Sequence, residues 1–90
     1  LPTVYVPLRW GFYARVTTRS DGIQVELYHP ATLGTRIWYT KLSYQGGEQV
    51  YDTPDYKIVF GVSGRSVYVR GEYKRTRPRA RFGPTTILRW

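Results

Sequence analysis

The sequence has no cysteine and no methionine, one histidine, and six acidic residues against 14 lysines and arginines. Without cysteine there is no disulfide staple, no thiolate metal site and no cysteine nucleophile. His29 lies between Tyr28 and Pro30 at what reads as a strand end, a poor setting for a general base. Ser20, Ser43, Ser63 and Ser66 stand in no nucleophile-elbow sequence. Asp52 and Asp55 flank Thr53-Pro54 and read as capping residues of a turn rather than as a cation site. Neither an enzyme nor a bound metal or cofactor is expected. No apolar run approaches the roughly 20 residues of a membrane-crossing helix. With Leu1 at the start and no methionine, the chain is expected to come from a longer or processed protein.

What is present is β-like. A chain of 90 residues, 41% hydrophobic, is too apolar to be a disordered tail and is long enough for one modest core. One domain spanning 1–90 is expected. Thr3 to Arg9 is extended in character, and Pro7 marks it as an edge strand or arm over 1–9. From Trp10 the pattern alternates: Trp10, Phe12, Ala14 and Val16 on one face, Gly11, Tyr13, Arg15 and Thr17 on the other. Arg19-Ser20-Asp21-Gly22 supplies a turn, and Ile23, Val25 and Leu27 alternate with Gln24, Glu26 and Tyr28. Pro30 to Thr35 is a loop. Arg36 to Tyr44, apolar on both faces, suits a central strand.

Gln45-Gly46-Gly47 then begins a hairpin into a short strand ending at Asp52. Tyr56, Ile58, Phe60 and Val62 share a face, as do Val67, Val69, Gly71 and Tyr73. Phe82-Gly83-Pro84 reads as a turn before a last strand from Thr85 to Trp90. Seven or eight strands with turns every 8–12 residues indicate an all-β antiparallel sandwich, with a small barrel as the alternative. No window has a capped helical period. Inward candidates are Trp10, Phe12, Trp38 or Tyr39, Ile58 and Phe60; Tyr13, Tyr28, Tyr44, Tyr51 and Tyr68 are candidates for a tyrosine-rich surface.

The strongest functional signal is the basic segment. Five of the 14 cations fall between Lys74 and Arg81, and no acid follows Glu72. If this stretch is extended, Arg75, Arg77, Arg79 and Arg81 point to one side, roughly 6–7 Å apart, a spacing comparable with a phosphate repeat. Arg70 extends the row, and Tyr73 and Phe82 flank it. These eight residues are the candidate binding site, on a loop covering 74–82. The formal charge of +8 favours acidic or polyanionic partners through a salt-sensitive field.

Parts of the chain resemble a fibronectin type III or related immunoglobulin-like domain. Val16 to Pro30, ending Tyr28-His29-Pro30, looks like that family's first hairpin. Tyr39 falls at a third-strand tyrosine position, Val67 to Tyr73 is similar to the penultimate strand, and Gly83-Pro84-Thr85-Thr86 resembles the lead-in to the last. Tyr28 stands where the family has Trp, and Val67 where it has Tyr. The alternative to this sandwich is a barrel of SH3-like or OB-like type. The resemblance implies a non-catalytic binding or structural module of a secreted, surface or virion-type protein, with Arg75 to Phe82 as the loop between the last two strands. Its expected partner is another protein or a neighbouring domain; the alternative is a polyanion, nucleic acid or sulfated glycan.

Overall fold

The computed structural model describes residues 2–90; Leu1, the first residue of the expected arm, lies outside them. The chain is all-β. Eight antiparallel strands form two four-stranded sheets, and within each the strands lie side by side in chain order. The chain divides into two compact units, Leu1–Tyr44 and Gln45–Trp90, one for each sheet.

Sheet 1 contains β1 (Thr3–Pro7), β2 (Tyr13–Arg19), β3 (Gly22–Tyr28) and β4 (Trp38–Leu42). Alternation decides which residues are hidden: Phe12, Ala14, Val16, Ile23, Val25, Leu27 and Leu42 are buried. β1 is an edge strand, so the ladder tolerates Pro7, which has no amide to donate. Trp10 departs from the expected strand. It takes a left-handed φ of 61° and Gly11 one of 85°, and Phe12 N–H donates to Arg9 O at 3.2 Å. Two central residues with positive φ make the reversal a type I′ turn, whose twist suits two antiparallel strands. The apolar alternation therefore begins at Phe12, not Trp10. A short 3-10 turn, Pro30–Thr32, follows β3. β4 is also shorter than the stretch from Arg36 to Tyr44. It pairs only with β3 and is the sheet's other edge rather than a central strand, with Tyr39 44% exposed.

Sheet 2 contains β5 (Gly47–Asp52), β6 (Tyr56–Ser63), β7 (Ser66–Tyr73) and β8 (Ala80–Arg89). Ile58, Phe60, Val62, Val67 and Val69 are buried on one face. Each such side chain contributes about 1.5–3 kcal/mol when fully withdrawn from water. The opposite face is polar except at Val59 and Val50: register sets Asp52, Lys57, Glu72 and Arg81 in one row across the four strands. β8 starts at Ala80, so Phe82-Gly83-Pro84 lies inside a ten-residue strand instead of forming a turn before it. The irregularity there is a bulge, because Val69 pairs with Thr85 and Gly71 with Phe82, leaving Gly83 and Pro84 opposite Arg70 alone.

The strand count and the antiparallel pairing are those expected of the sandwich class. Neither sheet closes on itself as a barrel would. The connectivity, however, is two successive meanders, whereas immunoglobulin and fibronectin type III sandwiches link strands through Greek-key connections.

Candidate functional site

The connection from β7 to β8 comprises Lys74 to Arg79; Arg70 and Tyr73 belong to β7, and Arg81 and Phe82 to β8. The chain turns at Lys74-Arg75 and bends through Thr76, Arg77 and Pro78, so it is not the extended run that would align four guanidinia. The cause is a set of acids brought up by neighbouring strands. Lys74 N–H donates to Asp55 O at 2.7 Å, and its ammonium donates to the Asp52 carboxylate and, at 2.7 Å, to Thr53 O. Arg75 pairs with Asp55. At the far side of the loop Arg79 reaches Glu72 at 2.8 Å, and Arg81 lies 3.6 Å from the same carboxylate. Thr76 Oγ1 accepts from Ala80 N–H at 2.7 Å and closes the loop internally.

Arg70 pairs with Glu48 at 3.1 Å. Of the six candidate cations, Arg77 makes no ion pair or hydrogen bond among the described residues. It shares a concavity of about 280 Å³ with Lys74, Thr76, Pro78 and Arg79. Tyr73 stacks on Tyr56 across the strands, with centroids 5.0 Å apart, and Phe82 lies over Gly71. The hydrogen bond from Arg79 and the nearby charges of Arg81 and Lys57 hold the Glu72 carboxyl below its usual value, with desolvation opposing them. The Lys74 hydrogen bond does the same for Asp52.

The turn before β6 is capped differently from the sequence expectation. The Thr53 hydroxyl accepts from Tyr56 N–H at 2.9 Å and from Asp55 N–H at 3.2 Å. That frees both aspartates to hold the basic loop.

A second cluster, on the polar face of sheet 1, does not figure among the eight candidates. Glu26, on the inner strand β3, is 3% exposed. Its Oε1 accepts from Arg15 at 2.7 Å and Gln24 at 3.1 Å, and its Oε2 from Arg36 at 3.1 Å and Tyr28 at 3.2 Å. Desolvation is the largest single influence on this carboxyl and pushes its pKa up, but the hydrogen bonds from Arg15, Gln24 and Arg36 and the positive charge of Arg15 together leave the pKa lowered. Tyr13 and Tyr28 stack at 5.1 Å, and Arg36 lies 4.8 Å from the Tyr39 ring centroid. The signal was in the hairpin: with Arg19 opposite Gly22, equal counting from the turn puts Arg15 opposite Glu26. Tyr28 and Tyr68, both surface candidates, lie on different sheets, and the Tyr44 hydroxyl is bonded to Arg19 O.

His29 is engaged through both ring nitrogens: Nε2 lies 3.0 Å from Trp10 O, and Nδ1 accepts from Ala31 N–H at 3.2 Å. Its role here is to tie the β1–β2 turn to the 3-10 turn. Among the described residues no group of three or more metal-ligating side chains occurs, and no helix is long and apolar enough to cross a membrane. No protein-family model, curated protein or solved structure matches the chain, so the fibronectin type III resemblance rests on its short motifs alone.

Proposed function

We propose that this chain is a non-catalytic binding module that engages an acidic surface of another protein through the β7–β8 loop, with Arg77 as the principal contact. The observation that carries this reading is that a loop tied down on both sides by acid–cation pairs leaves one guanidinium unpartnered. A loop held in place before binding loses less entropy on association. Arg is also among the residues that most often dominate interface energetics, through bidentate contacts to carboxylates. The polyanion reading receives less support, because the other five candidate cations already have carboxylate partners. The tyrosine-bearing face of sheet 1, with Tyr5 65% and Tyr39 44% exposed, is a second surface for such a module.

Titrations with poly-glutamate, heparin and a single-stranded oligonucleotide at two salt concentrations test the reading. Binding of poly-glutamate that weakens about tenfold in Arg77→Ala supports it. Tighter binding of heparin or oligonucleotide, with the steep salt dependence of several neutralised phosphates, replaces it with the polyanion reading. Binding to none of the three overturns both.

A further inference from the structure

The concavity of about 280 Å³ in the β7–β8 connection is lined by Lys74, Thr76, Arg77, Pro78 and Arg79. Among the described residues this lining brings three cations together and holds no carboxylate. The acids that tie the loop down, Asp52, Asp55 and Glu72, all stand outside it.

The three cations keep unused donors. Arg77 makes no ion pair or hydrogen bond among the described residues, so its whole guanidinium is available. Arg79 gives Nη1–H to Glu72 and retains the other N–H groups of its fork. The Lys74 ammonium donates to Asp52 and to Thr53 O, which leaves one of its three protons. Two guanidinia on one concavity therefore present two planar forks. A carboxylate has two oxygens, and one fork satisfies it. A phosphoryl monoester has three, enough to meet both forks at once.

Charge points the same way. Lys57 also acts on Asp52 and Glu72, so six cations (Lys57, Lys74, Arg75, Arg77, Arg79 and Arg81) face those three carboxylates, an excess of three. A phosphoryl monoester carries about −1.5 to −2 at pH 7 and offsets more of that excess than a carboxylate does. A continuous phosphate chain is a poorer match, because the carboxylates tying both ends of the loop repel the phosphates that would follow. On the reading of the loop as a contact for another protein, on which this site depends, we propose that the concavity seats one phosphorylated side chain of that partner. Arg77 and Arg79 take the phosphoryl oxygens, and Lys74 adds its charge beside them.

The test is a titration of the whole chain, followed by amide NMR. The probes are a short uncharged peptide with a central phosphoserine, the same peptide with serine or glutamate there, and inorganic phosphate. The phosphopeptide is expected to shift Lys74, Thr76, Arg77 and Arg79 and to bind at least about tenfold more tightly than the glutamate peptide, while the serine peptide does not bind. Arg77→Lys keeps the charge and loses the fork, and should weaken the phosphopeptide about tenfold; Arg79→Gln should do the same. Arg65→Gln, in the β6–β7 turn where that side chain bonds to Trp90 O, should leave it unchanged. Equal affinity for the phosphoserine and glutamate peptides, equal affinity for inorganic phosphate, or no loss in Arg79→Gln overturns the proposal. If poly-glutamate still binds through Arg77 in that case, the loop reading stands without the phosphoryl site; if neither probe binds, both fall.

Discussion

The Tyr68 ring lies across Gly61 of the neighbouring strand, so close that a β-carbon at residue 61 would stand 2.3 Å from its Cζ and hydroxyl oxygen. The absent side chain gives the ring room to reach over β6 and bond to Glu48 on β5. Gly61→Ala should therefore cost about 1–3 kcal/mol by displacing the ring. Urea denaturation of the single variants and of Gly61→Ala/Tyr68→Ala measures it. The penalty should shrink in the Tyr68→Ala background, and additive effects would mean that the ring does not carry it.

Two carboxylates test burial against exposure. Glu26→Gln removes a charge that is 3% exposed and bonded to two arginines, and should cost about 1–3 kcal/mol. Glu48→Gln removes one that is 41% exposed at its side chain and should cost about 0–1 kcal/mol. Equal losses in denaturant melts would show that the Glu26 network contributes no more than a surface pair.

Acid should destabilise the protein. Glu26 and Glu72 have folded pKa values below their ordinary 4.5, and Asp21 and Asp52 below 3.8. Between the unfolded and the folded values the unfolded chain binds more protons, so stability rises with pH there. It should be fully present above about pH 5 and be lost progressively as pH falls below those ordinary values. Thermal melts from pH 7 to 2 check this, and Glu26→Gln should flatten the slope. A melting temperature that does not fall would remove the carboxylates from the account.

Lys74→Ala and Asp55→Ala should loosen the β7–β8 loop more than the fold. Asp52, Asp55 and Arg75 are half or more exposed and only Lys74 is mostly covered, so global stability should change by about 0.2–1 kcal/mol. Amide exchange at Arg75, Thr76 and Arg77 should quicken clearly, since that loop depends on them locally. Unchanged exchange would show that Thr76 and the strand ends suffice.

Gly11→Ala should cost about 1 kcal/mol or more, because residue 11 has φ 85° and an added methyl would stand 3.1 Å from His29 Nε2. A neutral result in denaturant melts would mean that the turn can change type.

Much of the fold was legible where one face of a strand is buried and the other wet. Ala14, Val16, Ile23, Val25, Leu27, Ile58, Phe60, Val67 and Val69 all follow period two, and all are buried. Trp10 misled because an aromatic in phase with a strand gives no sign of a positive φ. Phe82-Gly83-Pro84 misled because a bulge and a turn use the same residues. In the basic loop the cations were plain but their state was not. Asp52, Asp55 and Glu48 lie 20–22 residues before the cations they hold, and only strand register brings them together. The Arg15–Glu26 pair was within reach, since a single hairpin determines it.

The capping of Thr53 has a consequence for engineering. The β5–β6 turn and the β7–β8 loop share Asp52, Thr53 and Asp55 through Lys74 and Arg75, so they behave as one joined corner of the sheet. A peptide inserted into either connection disturbs the other, and libraries diversified in the loop would have to keep the three residues of the turn.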